Sequence, residues 1–180
     1  MIARLVGSEM CIRDRTTEGL LNGQETWTGT HTLTGNVTVA PGATLVVNAG
    51  STINIPYGKH IDVRGAICVG SRACGAPSDG SPSDAVSFTW SLPSESESLV
   101  RGPCYGSIDA ACGSGMIIRN TIDEAKTGLN FVNFENAFGY EYIYFVGGNP
   151  NAKYAALIFD GPRTTANGLT FTNTNTSNVL

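Results

Sequence analysis

Charge is scarce in this chain: Asp, Glu, Lys and Arg together make up 14% of its 180 residues, against roughly a quarter in an ordinary soluble domain. The eleven cations are outnumbered by fifteen acids, for a net charge of −4, so a sequence-independent grip on nucleic-acid phosphates is not expected. Apolar runs are short, and none approaches the ~20 residues of a membrane-spanning helix. Met1–Val6 is broken by Arg4 and has no apolar stretch long enough for a signal peptide. Histidine occurs twice and cysteine five times, which leaves few ligands for a transition metal. Helix-type periodicity is also missing. Glycine is plentiful instead, at 22 residues, and short polar Thr, Ser and Asn separate the apolar pairs, a composition that favours short strands and turns.

What the chain does have is a repeat of eight residues. Asn36-Val37-Thr38-Val39 is followed by Thr44-Leu45-Val46-Val47, Thr52-Ile53-Asn54-Ile55 and His60-Ile61-Asp62-Val63. Glycines at 42, 50 and 58 fall in the intervening corners. Alternation at spacing two marks a strand with one buried face, and β-branched residues at that spacing suit no helix. Strands this short cannot bury a face alone, so the fixed period implies stacked repeats. Three such sides make one turn, which sets Ile61 and Val63 above Val37 and Val39. The inward set is then Val37, Val39, Leu45, Val47, Ile53, Ile55, Ile61 and Val63. Thr38, Val46, Asn54 and Asp62 point outward, with 38, 54 and 62 expected to be exposed.

Between about residues 70 and 115 the pattern gives way to an excursion rich in Ser, Gly and Pro, with one strand at Ala85–Trp90. Strands are expected again at 116–118, 128–131, 142–146, 154–159 and 168–171. The segments Gly-Leu-Asn-Phe-Val-Asn at 128–133 and Gly-Leu-Thr-Phe-Thr-Asn at 168–173 resemble one another, in a repeat that is looser here.

The stretch Trp27-Thr28-Gly29-Thr30 through Val37-Thr38-Val39-Ala40-Pro41-Gly42-Ala43-Thr44-Leu45 resembles the opening coils of right-handed parallel β-helices of the pectin-lyase-like superfamily, most of all its surface and adhesin-type members. The resemblance implies an all-β, single-stranded right-handed parallel β-helix over 16–180, and it is architectural, because that scaffold carries lyases, hydrolases, phage tailspikes and adhesins alike. Leu5-Val6-Gly7-Ser8-Glu9-Met10-Cys11-Ile12-Arg13-Asp14-Arg15 resembles a string that recurs at the ends of unrelated metagenomic translations, where it derives from sequencing adaptor. Residues 1–15 are therefore read as a non-native leader, and the chain as a fragment of a longer solenoid.

Cys68 with Cys74, and Cys104 with Cys112, lie in the irregular region, and Cys11 falls in the leader. The spacing reads as two local disulfides formed in an oxidising compartment. A zinc site is the rival, but the spacings exceed those of zinc modules and no histidine lies nearby. His31 and His60 are read as structural. Tyr140, Tyr142 and Tyr144 alternate with Glu141, Ile143 and Phe145. With Ile143 and Phe145 inward, the tyrosines would form a flat amphipathic platform for sugars. The opposing reading is that the Cys104–Cys112 excursion covers them.

No catalytic constellation assembles. Asp109, Asp123, Glu124 and Asp160 are dispersed, and Asp79 and Asp84 bracket a loop without the order of a calcium motif. No cofactor or metal is expected. The sequence reads as an extracellular or cell-surface, adhesin-like structural module that contacts polysaccharide or cell-surface glycan. Its alternatives are a polysaccharide lyase or glycoside hydrolase of the same fold, marked by an acidic cluster beside Lys or Arg on one strand face, and a tailspike-like shaft.

Overall fold

A computed structural model describes residues 16–71, 74, 80–92, 115–119, 127–137, 140–146, 149–155, 157–159 and 165–172. The first strands are β1 (Gly19–Leu21), β2 (Gln24–Trp27), β3 (Thr30–Thr32), β4 (Val37–Val39), β5 (Thr44–Val47), β6 (Thr52–Ile55), β7 (His60–Val63) and β8 (Ala66–Val69). A 3₁₀ turn at Pro82–Asp84 precedes β9 (Val86–Trp90), followed by β10 (Gly115–Ile118) and β11 (Gly128–Glu135). The remaining strands are β12 (Tyr140–Val146), β13 (Asn149–Ala155), β14 (Leu157–Phe159) and β15 (Thr165–Thr172). No α-helix occurs among the described residues.

The connectivity follows from the eight-residue repeat. β1, β4, β7, β10 and β14 form one five-stranded parallel sheet. β2, β5 and β8 stack in parallel on a second face, and β3, β6 and β9 on a third. The long strand β11 joins these two faces, pairing with β8 through its first residues and with β9 through its last. From β1 to β8 each strand thus hydrogen-bonds to the third strand after it, the order a stacked repeat requires. Val37 pairs with Ile61 and Val39 with Val63, as the period predicts.

Every position expected inward is buried, with Val37, Leu45, Ile53 and Ile61 at 0% exposure. Phe88, Trp90 and Phe134 extend the core, and Phe134 stacks on Phe88 at 5.7 Å and on Phe171 at 5.2 Å between ring centres. One end of this core is closed by polar groups. Glu25, Trp27 and His31 sit in register with Leu45, Val47 and Ile53 of the next pass. The Glu25 carboxylate accepts the Thr16 N–H and hydroxyl at 2.7 Å each and the Trp27 indole N–H at 2.6 Å. His31, stacked on Trp27, donates from Nε2 to the Thr16 carbonyl at 3.0 Å. Among the described residues the apolar column thus ends in hydrogen-bonded polar groups, which fits the structural reading of His31.

Corners change from pass to pass. Four residues, Ala40–Ala43, join β4 to β5, but only Arg64 and Gly65 join β7 to β8. Gly65 lies against the carbonyl groups of Ala40 and Ala43 beneath it. Between the second and third faces the corner shrinks to a single left-handed residue inside a continuous strand, Phe131 (φ 49°) in β11 and Gly168 (φ 64°) in β15.

Several expectations are corrected. Asp62 is 4% exposed, not solvated, and Thr38 and Asn54 are half-buried. Val46 points away from the core yet is 1% exposed. It pairs with Cys68, whose bridge to Cys74 holds the start of the excursion on that outer side. The two similar Gly-Leu-x-Phe segments do not stack in register: Phe171 pairs with Phe134, while Phe131 occupies the corner. The strand expected at 142–146 belongs to an antiparallel pair, β12 with β13, and not to a stacked coil. The one expected at 154–159 is divided between β13 and β14.

Candidate functional site

The outer surface of the five-stranded sheet carries a group of interacting ionisable side chains. Val37, Val39, Ile61, Val63, Met116 and Ile118 face the core, so strand alternation turns Thr38, Asp62 and Ile117 outward. These three lie side by side in register on β4, β7 and β10. Arg64 and Arg119 are the residues that immediately follow β7 and β10. The Arg64 N–H bonds the Val39 carbonyl at 2.9 Å, and the Arg119 N–H bonds the Val63 carbonyl at 2.7 Å. Val63 pairs with Ile118, and the next position of the same register sets the two arginines beside each other.

Asp62 is what makes that arrangement tolerable. Like charges on neighbouring strands repel, and the single carboxylate lies against both. Arg64 Nε donates to Oδ2 at 3.0 Å, and Arg119 Nε donates to Oδ1 at 3.2 Å. The carboxylate is 6% exposed, whereas the Arg64 and Arg119 side chains are 55% and 35% exposed. A buried carboxylate is costly without a partner, and charge-assisted hydrogen bonds to two cations supply it. His60 opens the same strand on the same alternation as Asp62, with its N–H bonded to Asn36 Oδ1 at 3.1 Å. Burial lowers the pKa of its imidazole below the ordinary 6.5. Asp62 opposes this shift, while Lys59 and Arg119 reinforce it.

Two arginines set against one buried carboxylate give the cluster the means to recognise charge. Sequence reasoning missed it. Asp62 and Arg64 stand two apart on one strand, a signal available in a chain so poor in cations. Arg119 lies 57 residues from Asp62 and is brought in only by β7–β10 pairing.

The residues singled out from the sequence are placed as follows. Cys68 and Cys74 form a disulfide, with Cα atoms 5.2 Å apart. Cys11, Cys104 and Cys112 lie outside the described residues, as do residues 1–15, Asp79, Asp109, Asp123, Glu124 and Asp160. Tyr140, Tyr142 and Tyr144 occupy alternate positions of β12, opposite Ala155, Lys153 and Asn151 of β13, and β12 runs close to β10. The Asp84 carboxylate accepts the Ser81 hydroxyl at 3.1 Å, a local turn contact. Among the described residues no group of three His, Cys, Asp or Glu is arranged to hold a metal ion, and no helix is long and apolar enough to cross a membrane. The chain matches no known protein family, no curated protein and no solved structure.

Proposed function

We propose that this chain forms a right-handed parallel β-helix that serves as an extracellular or cell-surface, adhesin-like module and contacts glycans through its outer sheet faces. The observation that carries this reading is the pairing of each early strand with the third one after it. It supports a rigid, elongated stack whose sides are available for repeated contacts with a long polymer. Two further features support the compartment and the role. The Cys68–Cys74 bridge is of the kind that persists in oxidising surroundings. The outer face of the five-stranded sheet ends in arginines held by a buried acid, an arrangement fit for holding a ligand in place.

The alternative is an enzyme acting on polysaccharide, and the proximity of Asp62 to two arginines is the observation that favours it. Retention on immobilised polysaccharides, run beside an assay for new unsaturated or reducing ends, separates the two. Retention without chain cleavage supports the module. Cleavage would replace it with the enzyme. In the same assay, serine at Tyr140, Tyr142 and Tyr144 together tests whether β12 contributes to glycan contact. Loss of retention with an unchanged far-UV spectrum is the expected outcome.

A further inference from the structure

We infer that the outer side of the third face, built from β3, β6, β9, β11 and β15, is a docking surface for an extended, uncharged polysaccharide, which it meets with two columns of short polar side chains. This rests on the glycan-contacting reading above and names the face and the chemical class of the glycan.

His31, Ile53, Phe88 and Phe134 are buried in the interior, so strand alternation turns the residues on either side of each outward. Register then stacks them. Thr30, Thr52, Ser87, Asn133 and Thr170 form one column. Thr32, Asn54, Thr89, Glu135 and Thr172 form the other. Successive ranks lie about 4.8 Å apart, and two residues along a strand separate the columns by about 6.6 Å. On the five-stranded sheet the outward Asp62 and Ile117 are buried, and on the second face so are Val46 and Cys68. On the third, every position of both columns is exposed or half-buried. The Thr89 hydroxyl donates to Glu135 Oε2 at 3.4 Å. Among the described residues the remaining side chains of the two columns make no hydrogen bond within the protein, so their donors and acceptors are open to a ligand.

The side-chain chemistry selects that ligand. Neither column holds a cation or an aromatic ring. The surface therefore lacks the charge that an anionic polymer requires and the anchors that dominate protein interfaces. It offers hydroxyls, the Asn54 and Asn133 carboxamides and the Glu135 carboxylate, which serve sugar hydroxyls as donors and acceptors. Spacing adds a second match. An extended β-linked chain advances from sugar to sugar by a distance close to that between strands, so a chain lying along the stack meets one rank per sugar. The branched Cβ of threonine restricts χ1, and less rotamer freedom is lost on contact. Each hydrogen bond exchanges with water for a small net gain, and repetition along the polymer supplies the retention.

The test runs the full chain, in oxidised form, through native gels that contain mixed-linkage β-glucan, α-linked dextran or polygalacturonate. Retardation by the β-glucan and by neither of the others is expected. Asn54→Lys, in the middle of the array, should weaken it roughly tenfold. Thr32→Lys, at an exposed position that tolerates substitution, should weaken it in the same direction and guards against misfolding of the first variant. Thr26→Lys adds the same charge at an exposed outward position of the second face and should leave retardation unchanged. Equal retardation of wild type, Asn54→Lys and Thr32→Lys by the β-glucan would overturn the docking surface while leaving the glycan module standing. Retardation by polygalacturonate alone, or by dextran as strongly as by β-glucan, would do the same. If no polymer retards the chain, both readings fall. Shaping of ice crystals by the wild type and not by Asn54→Lys, without retention on any polymer, would reassign the array to ordered water and overturn the polysaccharide.

Discussion

Replacing Gly65 with alanine isolates the close contact between successive corners. Gly65 does not have a positive φ, so alanine meets no backbone penalty of its own. The added methyl would instead overlap the carbonyl oxygens of Ala40 and Ala43, with the Ala43 carbonyl carbon at 3.2 Å. These are backbone atoms in the corner below and cannot rotate away. The Arg64–Gly65 corner would have to lift, stretching the Gly65 N–H bond to Val39 (3.1 Å) and the Ala66 N–H bond to Ala43 (2.9 Å). Each such bond contributes about 1 kcal/mol, and overpacking adds about 1–3 kcal/mol. A loss of roughly 3–5 kcal/mol is therefore expected. Gly58 supplies the contrast: its φ is +70° and nothing lies within 4 Å of an added methyl. Gly58→Ala should cost only about 1–2 kcal/mol, and Gly58→Asn less. Urea unfolding of the three variants, read at a common m-value, measures the difference. Gly65→Ala within about 0.5 kcal/mol of wild type, or less damaging than Gly58→Ala, would refute the reasoning.

Ile53→Asp, at a fully buried position, should cost several kcal/mol, whereas Asn54→Asp on the half-buried outer side should stay within about 0.5 kcal/mol in the same unfolding assay. Phe134→Ala removes the ring stacked between Phe88 and Phe171 and should destabilise the chain by about 3–5 kcal/mol in denaturant titration. The His60 pKa is depressed by burial, so at pH values between its folded value and 6.5 the unfolded chain binds more protons. Stability should therefore fall as pH drops through 6.5, and unfolding midpoints of His60→Gln should lack this component. Non-reducing peptide mapping should recover Cys68 linked to Cys74, and Cys104 linked to Cys112, with Cys11 unpaired.

Where periodicity and pairing coincide, the sequence was sufficient. Val37 above Ile61 follows from an eight-residue side repeated three times, and the structure keeps that register. The regularity was less complete than the sequence implied. Thr44 pairs with Ala66 and Thr52 with Ser87, because the corner after β7 contracts and the one after β8 expands. Apolar spacing records strands but not corner lengths, which depend on how closely backbones can approach. The likeness of residues 128–133 to 168–173 does not extend to register, for a similar reason. Strand pairing matched Phe134, not Phe131, to Phe171, and the left-handed corner falls at Phe131 in one pass and Gly168 in the other. Asp62 looked solvent-facing because alternation gives direction only. Its burial depends on Arg64 and Arg119, and the latter is a partner that no local pattern could announce.

The excursion between β8 and β9 enters at one corner and leaves both flanking ladders intact: β5 still pairs with β8, and β6 with β9. Chain inserted there changes no strand's neighbour and no residue's facing. The free energy of closing such a loop rises only logarithmically, by about 0.6 kcal/mol for each doubling of its length. A crosslink over a span as short as Cys68 to Cys74, separated by 6 residues, contributes about 2 kcal/mol. That is enough to offset about three doublings. The corner is thus a port through which a repeat of this kind can acquire new surface, of almost any sequence, while its interior remains under the same selection as before.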